Sequence, residues 1–600
     1  MLTLNNVHEQ FADFFKGKKL RPFAALLSKK LSEGHICLDL KEIVSSKEEF
    51  PYRYNTVKEI EDDLAKEPLV SSLPGSQHVF ENLQPFILFN SQLYLHRYFT
   101  YETIILNRIQ TLVKNEVVEY PHRIEFIDKH RDFIKNLFKS EESVENLHEE
   151  ERVEWQLVAT ILGVLNNFTI ITGGPGTGKT TTVSKILKVL KHVNPDLKIG
   201  LAAPTGKAAT RLAESLEGNQ PTTIHRMLKA IHGSHHFKHN KENPLNYDIV
   251  IVDEASMIDV ALFAKLLDAI GPETRLILLG DKDQLASVEA GSLFRDICKT
   301  QEQMNLISSK KARMINSFIE DKTKMLSENF ISESPVHFLS DHIIELKRSR
   351  RFSNNQGIGR LSKAIIYNKI EELKSLFKPN ADPQILIDMA YDLDVFQTSI
   401  SAYESYIKEG NTQIALQKFN EFRVLCAVRE GEHGIYKINK NIEFILNKKN
   451  LIDNRTEFYN NRPIIITKNY YDLGLYNGDI GIIRPDENNA LMAWFEDSEK
   501  NLHGILPGLI SESETVYAMT IHKSQGSEYD KVLIVLPDNE SSQLLTRELL
   551  YTAVTRAKSQ VTILASEKSL LATTNRSVKR ASGIKERFNG NTNKDIWVYN

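Results

Sequence analysis

A run of small residues followed by a lysine and a threonine is the clearest chemical signal in this sequence. Residues Gly173–Thr180 have the pattern Gly-x-x-x-x-Gly-Lys-Thr. They follow the strand-like stretch Phe168–Thr172 and precede the helical stretch Thr181–Leu190, which is the context that a phosphate-binding loop requires. Small residues let backbone N–H groups surround phosphate oxygens, and a helix N-terminus adds partial positive charge. The sequence therefore predicts a nucleoside triphosphate site.

Two side chains of this loop are expected to do the chemistry. Lys179 should reach the β- and γ-phosphates, and the hydroxyl of Thr180 should hold Mg²⁺. ATP and Mg²⁺ are therefore the predicted ligands. The predicted nucleotide-binding residues of this segment are Gly173, Gly174, Pro175, Gly176, Thr177, Gly178, Lys179, Thr180 and Thr181.

Polar residues end two further strand-like runs. Asp253 and Glu254 follow the apolar run Tyr247–Val252. Asp253 is expected to orient Mg²⁺, and Glu254 to act as the general base that polarises the attacking water. Gln284 follows the next apolar run, where a sensor of the γ-phosphate would lie. Together with the phosphate loop, these residues indicate ATP hydrolysis.

The composition bounds the class of protein. Lys and Arg number 75 and Asp and Glu 78 in 600 residues, a formal charge of −3, so any nucleic-acid binding must come from a local groove. No stretch approaches the roughly 18 uninterrupted apolar residues of a membrane span. The N-terminus lacks a signal-peptide pattern, and the three cysteines lie too far apart for a disulfide framework or a Cys-based zinc site. We expect a cytoplasmic protein without a membrane partner.

Short β-rich runs alternate with helical stretches from Trp155 onward. Strands that alternate with helices predict parallel, doubly wound sheets, so the pattern indicates two α/β sheets in series. Two short strand-like runs inside the second series, Pro463–Thr467 and Gly481–Ile483, indicate a small inserted β-barrel. The runs of the first series are Phe168–Thr172, Lys198–Ala203, Tyr247–Val252 and Arg275–Leu279, and those of the second are Arg423–Ala427, Lys531–Leu536 and Gln560–Ala565.

The order of these motifs resembles that of superfamily 1 helicases. Glu345–Phe352 resembles their fourth motif, Thr520–Glu528 the fifth and Leu550–Lys558 the sixth. Within that superfamily the sequence most resembles the RecD family, the α subunits of exodeoxyribonuclease V (RecBCD). The segments that carry this resemblance are Gly173–Thr182, Ala203–Ala209, Thr223–Arg226, Leu475–Gly481 and Thr520–Glu528.

The resemblance implies a fold and a mechanism. The expected fold class is α/β: two RecA-like P-loop motor lobes with parallel sheets, a small SH3-like β-barrel inserted in the second lobe, and a mixed, mainly helical N-terminal domain. ATP would bind between the lobes, with Gln156 of an adenine-reading motif, Gly526 and Glu528 adding nucleotide contacts. Arg351 and Arg556 would cross the cleft to the γ-phosphate; Arg350, which precedes Arg351, is the alternative in the fourth motif.

The resemblance also implies DNA contacts and partners. The expected ligands are single-stranded DNA and duplex DNA ends, and the expected partners are RecB-like and RecC-like subunits in a heterotrimer. The activity implied is a 5′→3′ DNA helicase that serves a helicase-nuclease in double-strand break repair and recombination. The DNA-binding residues that it implies are Pro204, Thr205, Lys207, Thr223, His225, Asn477, Thr520, His522 and Lys523.

The expected division of the chain follows the same outline. It comprises an N-terminal partner-binding domain (1–110), a charged helical connector (111–154), a first lobe (155–345) with a small hairpin insertion near 230–246, a second lobe (346–433 and 515–600) and the inserted barrel (434–514). Two other functions remain open at this point: a stand-alone RecD-like 5′→3′ helicase, and a DNA-binding scaffold that does not hydrolyse ATP.

A dense apolar cluster stands out in the N-terminal region. It includes Phe86–Phe89, Leu93–Leu95 and the aromatic residues Tyr98, Phe99 and Tyr101. Apolar surface that a small domain cannot bury often marks a partner site, here for a RecC-like subunit. The alternative is that the cluster is the core of this domain or packs on the first lobe.

Overall fold

The computed structural model describes most of the chain between residues 6 and 589. Residues 16, 18, 46–49, 73–83, 140–146, 217–219, 232, 288, 334–336, 353–355, 379, 498–499 and 540–541 are not described, nor are 1–5 and 590–600. Part of the expected connector (140–146), His232 of the expected hairpin insertion and the end of the expected second lobe (590–600) therefore lie outside the described residues.

The N-terminal region combines six helices with a small sheet. In the sheet β1 and β3 flank β4 in antiparallel fashion, and β2 runs parallel to β3. The elements are α1 (Val7–Asp13), α2 (Leu20–Ser32), β1 (Cys37–Asp39), α3 (Leu40–Ser45), α4 (Val57–Leu64), β2 (Val70–Ser72), β3 (Phe86–Phe89), β4 (Gln92–Leu95), α5 (His96–Lys129) and α6 (Arg131–Leu137).

The apolar cluster of this region lies inside the molecule. Phe86 and Leu93 pack in the core between the small sheet and α2, whereas Ile87, Tyr94 and Phe99 belong to a core shared with the first lobe. All five side chains are buried. The structure thus favours the alternative in which most of the cluster packs within the chain, as the core of the N-terminal region and against the first lobe.

Helix α5 joins the N-terminal region to the first lobe. It is a single helix of 34 residues, so the domain boundary expected at residue 110 falls inside it. The buried carboxylate of Glu116 accepts hydrogen bonds from the backbone of Asn167 (2.6 Å) and Phe168 (3.2 Å) and lies 3.0 Å from His342 Nε2. Arg123 donates to Leu165 O at 2.7 Å. Residues 111–129 are thus anchored to the strand that precedes the phosphate loop.

Length alone does not make a membrane helix. Neither α5 nor any other helix within the described ranges combines the length and the apolar character that crossing a bilayer requires.

The first lobe is built on a six-stranded, wholly parallel sheet with the order β12-β5-β9-β8-β6-β7. Four apolar runs predicted from the sequence form β5, β6, β8 and β9, which confirms the first parallel sheet. The elements are α7 (Glu149–Arg152), α8 (Trp155–Leu165), β5 (Phe168–Thr172), α9 (Lys179–Val193), β6 (Ile199–Ala203), α10 (Gly206–Ser215), β7 (Thr222–Thr223), α11 (Ile224–Met227), β8 (Ile249–Val252), α12 (Val260–Ala269), β9 (Arg275–Gly280), α13 (Leu293–Cys298), β10 (Ile307–Ser308), α14 (Ser309–Asn316), β11 (Ile331–Ser332) and β12 (Ile343–Glu345).

The second lobe repeats this architecture with a five-stranded parallel sheet of order β13-β22-β21-β14-β20. Its elements, with those of an inserted sheet, are α15 (Gly357–Ile366), α16 (Ile370–Ser375), β13 (Ile385–Asp388), α17 (Leu393–Ile400), α18 (Glu404–Ile407), α19 (Thr412–Phe419), β14 (Phe422–Cys426), α20 (Ile435–Lys448), β15 (Pro463–Ile466), β16 (Ile480–Pro485), β17 (Leu491–Glu496), β18 (Leu502–Ile505), β19 (Ser513–Thr515), β20 (Ala518–Thr520), β21 (Tyr529–Val535), α21 (Arg547–Val554), β22 (Ala557–Leu564), α22 (Glu567–Asn575) and α23 (Ile584–Asn589).

The inserted sheet is antiparallel throughout and has the order β18-β17-β16-β15-β19. It has its own small core, which includes Ile464, Ile483 and Phe495. Residues 435–448, grouped with the barrel by the sequence analysis, instead form α20, whose apolar face packs in the core of the second lobe. The insertion therefore begins after this helix.

The C-terminal segment crosses back from the second lobe to the N-terminal region. Ile36 N donates to Ala581 O at 2.9 Å, and Gly583 N donates to the carboxylate of Glu102 at 3.0 Å. Arg587 completes this contact: it lies 3.2 Å from Glu102, and both side chains are almost wholly excluded from solvent. A buried ion pair thus fastens the segment 581–587 to α5.

We expect the substitution Arg587→Ala to release this segment. It leaves the Glu102 carboxylate buried without its cation, which costs about 3–5 kcal/mol for a buried pair. Limited proteolysis should cut the variant faster after residue 576, and its thermal midpoint should fall. Lys585→Ala on the exposed face of the same helix is the control and should behave as the unmodified protein; equal protection of the two variants would contradict the anchoring role.

Candidate nucleotide and nucleic-acid site

The predicted phosphate loop lies between β5 and α9. Gly176 and Gly178 have φ values of +76° and +86°, which glycine adopts without the steric cost of a side chain. Lys179 begins α9 and its Nζ folds back over the loop, donating to Gly173 O at 2.7 Å and Gly174 O at 3.2 Å. Thr180 and Thr181 follow in the first turn of the helix. The loop therefore has its lysine and its hydroxyls at one helix N-terminus.

Two acidic residues follow β8 at the same edge of the sheet. Burial, with the charge of Glu254, raises the pKa of Asp253 to about 6, while Lys179 acts against this shift. Glu254 has φ +52° and ψ +37°, a left-handed conformation that is uncommon for a residue with a side chain. Strained backbone of this kind clusters at functional sites. The strand end thus presents two carboxylates next to the loop lysine.

Gln284 is buried near a third carboxylate, Asp281. Gln284 Nε2 donates to Asp281 Oδ2 at 3.3 Å, and Tyr551 of the second lobe donates to the same oxygen at 3.0 Å. Gln284 Oε1 is buried and has no hydrogen-bond partner among the described residues. The segment after β9 therefore lies at the contact between the lobes and retains an acceptor for a water or a ligand.

The fourth motif packs directly on the phosphate loop. Ser349 Oγ donates to Pro175 O at 3.1 Å, and Arg350 N donates to Gly176 O at 2.9 Å. A Cβ atom added at Gly176 would lie 2.4 Å from Arg351 Cβ, so only glycine permits this approach. Arg351 is thus placed beside the loop.

A carboxylate of the second lobe holds the Arg351 guanidinium. Arg351 Nη2 lies 2.8 Å from Glu528 Oε2, and Arg211 of α10 pairs with Glu528 Oε1. Burial acts to raise the pKa of Glu528, but these two guanidinium groups hold it at about 2. Arg351 Nη1 is buried without an acceptor among the described residues. Arg351 thus keeps a donor for an anion, and a phosphate fits that position.

Arg556, which is expected to reach the γ-phosphate, bonds carbonyl groups in this structure. It follows the end of α21, where its Nε donates to Thr552 O at 3.1 Å and its Nη1 donates to Ser527 O at 3.1 Å. Both acceptors belong to the second lobe. Basic side chains at a helix C-terminus bond the free carbonyl groups there, and this local pairing keeps Arg556 within its own lobe.

Gln156 lies behind the phosphate loop. Its Nε2 donates to Thr177 O at 3.3 Å, and Lys185 Nζ donates to its Oε1 at 3.3 Å. A small cavity of about 30 Å³ lies beside it, lined in part by Trp155, Gln156, Thr177, Arg348 and Arg350. This volume holds only a water molecule or two, so the contact of Gln156 with the adenine base stays a prediction.

Strands β6 and β7 bring together the first-lobe residues expected to contact DNA. Ala203 pairs with Thr223, so the segments Pro204–Lys207 and Thr223–His225 leave the sheet side by side. Thr205 and Thr223 each cap the helix that follows, accepting from Ala208 N and Arg226 N. Helix N-termini with hydroxyl groups suit phosphate contacts that do not depend on base sequence.

The remaining residues of this group come from the second lobe and its insertion. Thr520 ends β20 and accepts a hydrogen bond from Lys523 N at 3.3 Å, and burial lowers the pKa of His522. Asn477 lies on an exposed turn, where its N donates to Asn469 Oδ1 at 2.8 Å. The neighbouring Tyr476 ring is 5.6 Å from the Arg226 guanidinium, which connects this turn to α11.

Several residues at the contact between the lobes were not singled out from the sequence. Leu285 N donates to Thr552 Oγ1, and Gln525 Nε2 donates to Leu285 O, both at 2.8 Å. Arg295 and the fully buried Glu548 form an ion pair at 2.7 Å across the same contact. Arg211 and Tyr551 also belong to this set. Gln525, Tyr551 and Thr552 lie inside motif segments, whereas Arg211, Arg295 and Glu548 do not, so no motif pointed to the charged pair.

Three family models match successive parts of the chain. They are described as the RecBCD enzyme subunit RecD, N-terminal domain (residues 3–94), an AAA domain (156–290) and a UvrD-like helicase C-terminal domain (515–564). The second spans the phosphate loop and both predicted acids, and the third spans Glu528 and Arg556.

Curated relatives match along most of the length. RecBCD enzyme subunit RecD of Buchnera aphidicola is 31% identical, with 92% of each chain covered, and its counterpart in Haemophilus influenzae is 31% identical, with 96% of this chain and 94% of that one covered. The ATP-dependent RecD2 DNA helicase of Deinococcus radiodurans is 29% identical, with 65% of this chain and 46% of that one covered.

The geometry of the fourth motif separates its two arginines. We expect Arg351→Ala to lower ATP turnover by about 10³, since its guanidinium is the one with a free donor beside the phosphate loop. Arg350→Ala should mainly raise the KM for ATP, because Arg350 lines the small cavity next to Gln156, the expected contact of the adenine base. Steady-state kinetics of both variants provides the test; a silent Arg351→Ala with a damaged Arg350→Ala would exchange their roles.

Proposed function

This chain belongs to the family of RecD subunits of the RecBCD enzyme, and from that premise we propose that it is an ATP-hydrolysing DNA helicase acting within a RecBCD-like complex. The observation that carries the proposal is the convergence of Lys179, Glu254 and Arg351 at the cleft between two parallel-sheet lobes. In this arrangement hydrolysis requires groups from both lobes, so turnover and lobe movement are coupled.

The residues of the cleft divide the work of hydrolysis. The backbone N–H groups of the loop and Lys179 would bind the phosphates, and Thr180 and Asp253 would hold Mg²⁺, which would neutralise phosphate charge. Glu254 takes the proton of the attacking water, and the buried Oε1 of Gln284 helps to orient that water. Arg351 and then Arg556, after it leaves its present carbonyl partners, stabilise the charge that develops on the γ-phosphate.

Movement along DNA follows from the second group of residues. Thr205, Lys207 and Thr223 on one lobe and Thr520 and Lys523 on the other give each lobe its own grip on a single strand. Contacts of hydroxyl and ammonium groups with phosphates do not depend on sequence, as a translocating protein requires. The 5′→3′ direction is part of the proposal on family grounds.

A subunit of a RecBCD-like complex and a stand-alone helicase differ in whether the chain assembles with partners. The match of residues 3–94 to a RecD N-terminal domain and the near-complete coverage of the RecD relatives favour a subunit over a stand-alone helicase. A complete set of catalytic side chains argues against a scaffold that does not hydrolyse ATP. DNA cutting would then come from a RecB-like partner.

We expect Glu254→Gln to bind ATP but to hydrolyse it at least about 100-fold more slowly, because the change removes the base while it preserves shape. Gln adopts the same backbone conformation as Glu at this position. Lys179→Ala should instead lose most ATP affinity. Filter binding of ATP and DNA-stimulated turnover distinguish the two; normal turnover in either variant would refute the site.

Co-expression with RecB-like and RecC-like chains tests the assembly. We expect one complex that contains all three chains, and its single-stranded DNA translocation from a 5′ end should disappear with Lys179→Ala in this chain. A chain that stays alone at micromolar concentration yet unwinds DNA would establish the stand-alone function instead.

A further inference from the structure

Helix α10 carries on one face both a residue proposed to contact DNA and a residue that contacts the second lobe. Thr205 caps its N-terminus and Lys207 lies in its first turn, both among the residues proposed to contact DNA. Arg211 follows Lys207 by four residues, so the two side chains lie one above the other on the helix. A residue that faces the opposite lobe is thus attached rigidly to the proposed DNA grip.

This helix approaches the segment Gly526–Tyr529, at the end of the fifth motif. A Cβ added at Gly526 would lie 3.5 Å from Ala208 Cβ, the Lys207 ammonium is 5.9 Å from the centre of the Tyr529 ring, and Arg211 pairs directly with Glu528. The ion pair is the direct link through which a displacement of the helix would reach the fifth motif.

Glu528 extends this contact to the phosphate loop. Its second oxygen holds Arg351, which lies against Gly176, and is also 4.0 Å from the more exposed Lys558 ammonium. Arg211 itself is within electrostatic reach of Asp253 and Glu254. Arg211 and Arg351 thus bind one carboxylate from opposite sides, one from the helix of the DNA grip and one from the phosphate site.

We propose that Arg211 is a positioning residue that transmits DNA binding at α10 to ATP hydrolysis by controlling how firmly Glu528 holds Arg351. The proposal rests on the proposed helicase function and deepens it. While Arg211 occupies Oε1, Glu528 offers Arg351 a single oxygen, and Arg351 is released readily. Without Arg211, both oxygens are available, and a two-pronged pair retains Arg351 away from the γ-phosphate.

The first test measures DNA stimulation of the full chain. ATP turnover is recorded with and without oligo(dT) for the unmodified protein, Arg211→Gln and Arg211→Lys. The ratio of the two rates should fall about tenfold in Arg211→Gln, in the usual range of a coupling between sites. Arg211→Lys should recover part of the stimulation, since lysine keeps the positive charge but lacks the paired N–H donors of a guanidinium group.

Glu214→Gln is the matched control. Glu214 lies on the same helix and makes an ion pair across to the inserted sheet, at 3.4 Å from Lys500, with no contact to Glu528 among the described residues. Its stimulation ratio should stay within about twofold, as expected for an exposed ion pair. An equal loss in Glu214→Gln and Arg211→Gln would show a general effect of the helix and overturn the proposal.

The second test does not depend on turnover. Coupling is reciprocal, so a non-hydrolysable ATP analogue should change oligo(dT) affinity in the unmodified protein and change it by a factor near one in Arg211→Gln. In a Glu528→Gln background, Arg211→Gln should add no more than about a twofold effect if it acts through that carboxylate.

The outcomes distinguish a failure of the proposed helicase function from a failure of the role of Arg211. An unmodified chain without ATP turnover or oligo(dT) binding overturns the proposed function together with this inference. A chain that hydrolyses ATP with normal stimulation in Arg211→Gln leaves the helicase function standing and refutes the role of Arg211.

Discussion

A single carboxylate, that of Glu528, ties together the parts of the chain that must move against each other. One of its oxygens pairs with Arg211 of the first lobe and the other with Arg351 beside the phosphate loop. Burial would favour protonation of this group, and the two guanidinium groups keep its pKa at about 2. Because a buried carboxylate is tolerated only with partners, the position of each arginine constrains the other.

A second buried carboxylate, at the opposite end of the first lobe, also joins two separate segments of the chain. Glu116 of α5 accepts from the backbone at the start of β5 and lies 3.0 Å from His342. The phosphate loop begins at the far end of that same strand. The N-terminal region is therefore joined through one strand to the segment that carries the phosphate loop.

The sequence predicted the strands of the parallel sheets and the motifs whose residues are neighbours in the chain. The run Phe168–Thr172 is a strand with those bounds, because buried apolar runs between a helix and a glycine loop have few other structures. It did not predict that Arg556 bonds carbonyl groups of its own lobe, since that choice depends on side-chain geometry at the end of α21. Nor did it predict Arg211, Arg295 or Glu548, because an ion pair between distant segments leaves no periodic trace.

The polar character of the named contacts between the lobes suits a motor. Arg295 with Glu548, Tyr551 with Asp281 and Gln525 with Leu285 O are all groups that water can also satisfy. When the lobes separate, each group exchanges a protein partner for water. The net free energy of such an exchange is about 0.5–1.5 kcal/mol for a neutral hydrogen bond such as that of Gln525, and about 1.5–3 kcal/mol for a bond to a charged group such as Asp281. Apolar contacts of the same area would cost more to open. Closure can therefore be driven by the few additional charge contacts of a bound triphosphate and reversed when they are lost.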